Sequence, residues 1–209
     1  MRAPLVFIHG WGFNSSVWRE TAARLPDRTL SFIDLGFMGK PAVTRLEVPD
    51  NAIIVAHSLG VLWALKNLSK QPAAFVSICG FDRFSPPVSS SALELMKRGL
   101  TRNPMAQMTH FWRSCGIDAF ADEQQLDQSA LTEGLDWLKN WDCRTERQSL
   151  SCPVHVLAVR EDEIVPEQMS CDIWGDSNIH WAQSGGHALP LTRADWCADQ
   201  IRQFAQSNE

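Results

Sequence analysis

The sequence predicts an α/β fold, in which a mostly parallel sheet is flanked by helices. Short runs of apolar and β-branched residues recur along the chain and alternate with segments of helical periodicity. The strongest runs are 5–8, 30–33, 52–55, 74–78 and 154–159, and a weaker one covers 179–182. Near-continuous apolarity over so few residues is typical of strands that are buried on both faces, as in a parallel sheet.

Three segments have the residue spacing of helices. The first follows Asn14, a residue type that commonly caps a helix N-terminus, and the second runs from Leu59 to Leu68. The third lies near the C-terminus, where apolar residues recur at helical spacing: Ala194, Cys197, Ile201 and Phe204. Strands and helices therefore alternate over most of the chain, which favours an α/β architecture.

The 209 residues are predicted to form one domain, because a chain of this length can bury one core and is too short for two full catalytic domains. The alternation stops between residues 83 and 142. There, a Ser/Pro-rich stretch at 85–91 leads into amphipathic segments such as 92–100 and 131–141. We expect residues 83–142 to form a small helical cap over the C-terminal edge of the sheet.

Charge and composition exclude several classes of function. The net charge of -5 provides no general attraction to nucleic acids or anionic membranes. The apolar stretch at 5–8 is far shorter than a signal-peptide core or a membrane span, so we expect a cytoplasmic protein. The six cysteines lack the spacing of a zinc site and are interpreted as reduced thiols. We expect a monomer or a weak dimer.

A nucleophilic serine is indicated by the segment Ala56 to Gly60, which reads Ala-His-Ser-Leu-Gly. It follows an apolar strand and precedes a helix, the context that a nucleophile elbow requires. Small residues on both sides of Ser58 matter because the serine backbone occupies a strained turn next to a strand and a helix. Ser58 is therefore the candidate nucleophile of an acyl-transfer enzyme.

A second motif, His9-Gly10-Trp11-Gly12, follows the first strand directly. Acyl transfer produces a tetrahedral oxyanion, which preorganised backbone N–H groups stabilise. We assign these donors to Trp11 and Leu59, since glycines flank Trp11 and Leu59 lies at a helix N-terminus. A phosphate-binding loop is excluded because neither GxGxxG nor a terminal Lys-Ser/Thr pair is present.

The acid and the base of such an enzyme follow the serine in chain order. Glu161, Asp162 and Glu163 come directly after a strand, and Asp82, which follows the preceding strand, is an alternative acid. His187 follows two glycines and precedes the C-terminal helix, where the general base belongs. A neutral imidazole with a pKa of about 6.5 can accept the serine proton and return it to the leaving group.

The sequence resembles the α/β-hydrolase superfamily over nearly its whole length, and within it the pimeloyl-acyl-carrier-protein methyl ester esterases of biotin synthesis, the BioH type. The matching residues are His9 to Asn14, Val17-Trp18, Ile33 to Leu35, the Ser58 turn, Gly134-Leu135, Leu138-Lys139, Asp162, Val165-Pro166 and His187-Ala188. The resemblance implies the α/β-hydrolase fold. We expect three departures from the BioH type: no N-terminal antiparallel hairpin, a shorter cap, and Ala56-His57 in place of a Gly-Trp pair.

The resemblance also assigns roles. It implies Ser58 as nucleophile, Trp11 and Leu59 as oxyanion donors, Asp162 as the acid and His187 as the base. It further implies that basic residues of the cap contact an acidic carrier protein. Between residues 83 and 113 there are five basic residues and one acidic residue. From this group we take three carrier-binding candidates: Arg98, Arg102 and Arg113.

These residues predict a serine carboxylesterase that works by two-step acyl transfer and needs no metal or organic cofactor. The favoured substrate is a pimeloyl-type methyl ester presented on acyl-carrier protein. A general short-chain carboxylesterase or a perhydrolase would use the same three residues. A non-catalytic binding protein with a hydrolase fold is the alternative from another class.

Overall fold

Six strands form one parallel sheet in the order β2-β1-β3-β4-β5-β6. This arrangement is seen in a computed structural model that describes residues 2–39, 42–43, 46–84, 90–121 and 123–208. The strands are β1 (Leu5–Ile8), β2 (Leu30–Ile33), β3 (Ile53–His57), β4 (Ala74–Ile78), β5 (Val154–Val159) and β6 (Ile179–Ala182). All five pairs of neighbouring strands are parallel, which confirms the predicted sheet.

The position of each strand in the sheet explains its burial. Every residue of β1, β3 and β4 is buried, as their apolar sequences predict. The expectation of burial on both faces was wrong for the first residue of β5, Val154, which is exposed, and for β2, in which Ser31 and Phe32 are exposed. This strand lies at the edge of the sheet and pairs only with β1, so part of its surface remains in contact with solvent.

Nine α-helices occur in the described residues: α1 (Arg19–Ala23), α2 (Leu59–Asn67), α3 (Ser90–Arg102), α4 (Pro104–Ser114), α5 (Gln128–Asn140), α6 (Arg144–Gln148), α7 (Glu167–Trp174), α8 (Leu189–Thr192) and α9 (Ala194–Ser207). The predicted helices at 59–68 and near the C-terminus correspond to α2 and α9. The helix predicted after Asn14 begins as a 3-10 turn over Ser15–Trp18, and the Asn14 side chain accepts a hydrogen bond from the Ser16 N–H.

The helices α3, α4 and α5 lie between β4 and β5 in the chain, and α3 packs against both of the others. The two ends of this insertion meet where Arg83 forms an antiparallel bridge with Asp142. The Cys143 N–H also donates to the Asp82 carbonyl at 2.8 Å. Residues 85–89 of the Ser/Pro-rich stretch lie outside the described residues. We retain 83–142 as the proposed limits of the cap.

All six cysteines are free thiols, and four of them are buried. Across the ranges that the structure describes, none of the helices combines the length and apolarity that a membrane span needs.

Candidate functional site

Ser58 lies at the sharp turn between β3 and α2. Its φ of 53° is in the left-handed region, which is strained for a residue other than glycine. The Ser58 N–H donates to the Ile78 carbonyl at 3.0 Å, which holds the turn against β4. A Cβ added to Gly60 would lie 2.5 Å from the His9 carbonyl oxygen, so only glycine allows this approach of α2 to the end of β1.

A continuous chain of hydrogen bonds joins three of the predicted site residues. His187 Nε2 lies 2.8 Å from Ser58 Oγ, and His187 Nδ1 lies 2.8 Å from Asp162 Oδ2. All three side chains are buried, although the three residues are as many as 129 positions apart in the chain. The ends of β3 and β5 and the loop after β6 bring them together at one edge of the sheet.

The surroundings of Asp162 stabilise its ionised form. Burial alone would raise the pKa of this carboxyl, but the neighbouring His187 and two backbone amides outweigh that effect and hold the pKa below its ordinary value. The two amides are those of Ile164 and Val165, and each donates to Asp162 Oδ1 at 2.8 Å. Oδ2 is therefore the oxygen that faces His187, and the carboxylate orients the imidazole.

The other carboxylates have different partners. Asp82 is buried and pairs with Arg147, whose Nε lies 2.6 Å from Asp82 Oδ2. Glu161 accepts a hydrogen bond from the Gly185 N–H at 2.8 Å, so it supports the loop that carries His187. Glu163 is exposed and lines the neighbouring cavity. Among these carboxylates, Asp162 alone contacts the His187 imidazole in the described part of the chain.

The loop after β1 is held by the imidazole of His9. The Leu35 N–H donates to His9 Nε2 at 2.9 Å, so Nε2 is an acceptor and the proton is on Nδ1. Nδ1 then donates to the Gly10 carbonyl at 2.9 Å. That carbonyl belongs to the same planar peptide unit as the Trp11 N–H, so this bond fixes the direction of one predicted oxyanion donor. The other predicted donor, Leu59, is the first residue of α2, where N–H groups have no partner within the helix.

His57, next to Ser58, supports the loop of His187 from the other side. Its Nε2 donates to the His187 carbonyl at 2.9 Å, and the two rings are 5.0 Å apart. Burial, followed by the nearby His187, lowers the pKa of His57 to about 3. His57 therefore remains neutral near pH 7.

The Cys79 thiol lies close to the two polar atoms of the His187–Asp162 pair. Its Sγ, a carboxylate oxygen of Asp162 and a ring nitrogen of His187 lie within 4.8 Å of one another. Burial, followed by the charge of Asp162, raises the pKa of the Cys79 thiol well above its ordinary value. A protonated thiol is a poor metal ligand, and the other two groups are bonded to each other, so this cluster suits a hydrogen-bonded triad better than a metal centre.

A largely apolar cavity of about 410 Å³ opens at Ser58. Its wall joins side chains of the core to side chains of the cap, namely Trp11, Phe81, Phe84, Ala92, Leu93, Leu95, Met96, Gln107, His110, Phe111, Ser114, Leu138, Glu163 and Ile164. No Lys or Arg is found among these described lining residues. The cavity therefore suits an uncharged, mainly hydrocarbon group. The sequence did not predict this lining, because residues of α4 enter it through the packing of the cap.

The three arginines predicted to bind a carrier protein are all exposed on cap helices. Arg98 and Arg102 lie on the same face of α3, four residues apart, and Arg113 lies on α4. Within the described residues, none of the three forms an ion pair. Lys97 differs from them, since it pairs with Asp136 at 2.5 Å. The arginines surround no buried site, so they are available only to a partner at the surface.

A family model described as the alpha/beta hydrolase family matches residues 5–200. The chain belongs to this family. A relative from Vibrio atlanticus, named pimeloyl-[acyl-carrier protein] methyl ester esterase, is 27% identical over 97% of this alpha/beta hydrolase and 94% of its own length. A protein of the same name from Shewanella oneidensis is 28% identical over 79% of this chain and 76% of its own.

Solved structures share the alpha/beta hydrolase fold with this chain. The esterase of Exiguobacterium antarcticum superimposes with a TM-score of 0.81 at 12% identity, over 99% of this chain and 93% of its own. The bromoperoxidase of Bacillus anthracis does so with a TM-score of 0.80 at 15% identity, over 99% and 92% of the two chains. The predicted fold class is confirmed by this likeness.

Proposed function

We propose that this alpha/beta hydrolase is a serine carboxylesterase in which Ser58 is the nucleophile, His187 the general base and Asp162 the residue that orients the base. The observation that carries the proposal is the hydrogen-bond chain from Ser58 Oγ through His187 to Asp162, with both contacts at 2.8 Å. These distances suit proton transfer between the serine and the imidazole.

The reaction has two steps. Ser58 Oγ forms a bond to the ester carbonyl carbon while its proton passes to His187 Nε2, and the backbone N–H groups of Trp11 and Leu59 stabilise the resulting oxyanion. The bond to the alcohol oxygen then breaks, and His187 returns its proton to the departing alcohol. In the second step His187 takes a proton from water, the hydroxide attacks the acyl carbon, and Ser58 leaves with that proton. The products are the acid and the alcohol.

For the substrate we propose the methyl ester of a pimeloyl-type chain on acyl-carrier protein. Relatives that align with most of this chain are named for that activity. The apolar cavity at Ser58 accommodates an uncharged acyl chain next to its methyl ester. Arg98, Arg102 and Arg113 supply exposed positive charge that an acidic carrier protein would recognise. A general short-chain carboxylesterase is the second candidate, because the same cavity suits simple apolar esters.

The test compares pimeloyl methyl ester on acyl-carrier protein with p-nitrophenyl acetate and butyrate. We expect a large kcat/KM preference for the carrier-bound ester, and a loss of about 10⁴ to 10⁶-fold in Ser58→Ala on every substrate. Ser77→Ala is the matched control, because Ser77 is a buried serine of β4 whose hydroxyl has no hydrogen-bond partner among the described residues.

Each outcome has a distinct meaning. If only p-nitrophenyl esters are hydrolysed, and this activity is lost in Ser58→Ala, the protein is a general short-chain carboxylesterase and the carrier-bound substrate is wrong. Hydrolysis that is unchanged in Ser58→Ala would overturn the nucleophile assignment. Binding without turnover of any of these esters would favour a non-catalytic hydrolase-fold protein.

A further inference from the structure

Two tryptophan side chains connect the cap helices to the loop that follows β1. Trp112 of α4 donates from its indole Nε1 to the Gly12 carbonyl at 2.8 Å. Trp11 donates from its own indole Nε1 to the Leu131 carbonyl of α5, also at 2.8 Å. Both indoles are buried, and the bonded residues are 100 and 120 positions apart in the chain. The loop is therefore held from two cap helices.

Close packing reinforces both bonds. Gly12 has a φ of +71°, and a Cβ added there would lie 2.7 Å from the Met108 side chain and 2.9 Å from Phe111, so α4 lies directly against the loop. The rings of Trp11 and Phe111 meet edge to face at 4.6 Å. A Cβ added to Gly134 would lie 2.6 Å from Cδ1 of Trp11, so the indole also lies directly against α5. Neither the loop nor the indole can move without displacing a cap helix.

We propose that Trp112 is a positioning residue of the oxyanion hole and that the cap is a structural part of this catalytic element. This inference rests on the proposed esterase function. The Trp11 N–H lies two peptide units before the carbonyl that Trp112 holds. Loss of the indole N–H would leave the buried Gly12 carbonyl without this donor, and the loop would shift to find another. A displaced oxyanion donor weakens binding of the transition state more than binding of the ester.

The experiment uses Trp112→Phe, which removes the N–H donor and keeps a flat aromatic ring in the cap. We expect kcat to fall about 10 to 100-fold, because a shift of up to about 1 Å in a catalytic donor has an effect of this size. KM should stay within about threefold of the wild-type value. A trifluoromethyl ketone that matches the acyl chain forms a tetrahedral adduct with the serine and reports on the oxyanion hole directly. Its Ki should rise by the same factor as kcat falls.

Trp174→Phe is the matched control. Trp174 is also a buried indole that donates to a glycine carbonyl, that of Gly80 at 2.9 Å, but this bond does not involve the oxyanion loop. Its removal should lower thermal stability by an amount similar to Trp112→Phe and leave kcat and Ki within about threefold of wild type. If Trp112→Phe and Trp174→Phe lost kcat to the same extent, general destabilisation would explain the effect and the proposal would be overturned.

Gly134→Ala tests the same idea from α5 and does not depend on whether Trp112→Phe folds. Alanine favours a helix over glycine, which offsets part of the cost of placing a methyl group 2.6 Å from Trp11 and 2.8 Å from Phe37. We expect the same pattern of lower kcat and higher Ki. Wild-type kcat and Ki in both Trp112→Phe and Gly134→Ala would overturn the proposal for Trp112 in an active esterase. Inactivity of the wild type, or full activity of Ser58→Ala, would instead overturn the esterase function.

Discussion

Replacement of Asp162 by Asn tests which carboxylate orients His187. The amides of Ile164 and Val165 donate to Oδ1, and an Asn oxygen retained at that position would still accept both bonds. The Asn NH₂ group would then face His187 Nδ1, which would have to become an acceptor. The imidazole proton would move to Nε2, the atom 2.8 Å from Ser58 Oγ, and His187 could no longer accept the serine proton.

The size of the effect follows from this change of tautomer. Serine hydrolases with the corresponding substitution lose about 10⁴-fold in kcat, or about 5 kcal/mol of transition-state stabilisation. We expect Asp162→Asn to lie within about tenfold of that value. Asp82→Asn is the matched control, because Asp82 is equally buried but pairs with Arg147 at 2.6 Å. It should lose about 1 to 3 kcal/mol of stability and keep kcat within about threefold.

The assay measures kcat and KM for p-nitrophenyl butyrate, together with the free energy of unfolding in urea for each variant. If Asp162→Asn kept more than a tenth of wild-type kcat, Asp162 would not be the orienting acid. If Asp82→Asn remained folded and lost as much kcat as Asp162→Asn, the assignment of Asp162 alone as the acid would be wrong and Asp82 would again be a candidate.

Two further predictions concern acid stability and the carrier protein. Histidine has a pKa of about 6.5 in the unfolded chain, whereas folded His57 has a pKa of about 3. Between these two pH values the unfolded state binds one more proton than the folded state. The free energy of unfolding therefore falls as the pH falls, by up to about 1.4 kcal/mol per pH unit from His57. Urea unfolding at pH 6.5, 5.5 and 4.5 should show a flatter slope in His57→Gln, and equal slopes would contradict the buried neutral imidazole. Replacement of Arg98, Arg102 and Arg113 together by Glu should lower kcat/KM at least tenfold for the carrier-bound ester and leave kcat/KM for p-nitrophenyl butyrate unchanged. Replacement of the exposed Arg19 by Glu is the control and should change kcat/KM for neither substrate. Equal losses on both substrates would refute carrier binding by the three arginines.

Local signals predicted the elements of the site well. The strained turn at Ser58 could be predicted because small residues on both sides of a serine, between an apolar strand and a helix, are what such a turn requires sterically. The loop of His187 carried a similar signal in its paired glycines, both of which have positive φ. Such signals depend on neighbouring residues in the chain, so they can be read without knowledge of the packing.

The choice of acid could not be made in the same way. Asp82 and Asp162 both follow apolar strands, and spacing alone does not distinguish them. The structure distinguishes the two carboxylates by their partners, which are distant in the chain: Asp82 forms an ion pair with Arg147 of α6, and Asp162 contacts His187. The edge position of β2 was missed for a related reason, because its apolar sequence resembles that of a central strand and only the strand order exposes it.

The amino-acid sequence alone determined the α/β class, the parallel strands and the turns that carry Ser58, Trp11 and His187, because these follow from hydrophobic periodicity and local steric limits. Only the tertiary structure decided the cavity wall, the partner of each carboxylate and the two indole bonds between the cap and the loop after β1. The carboxylate and indole contacts join residues up to 120 positions apart, and their formation depends on how distant elements pack together.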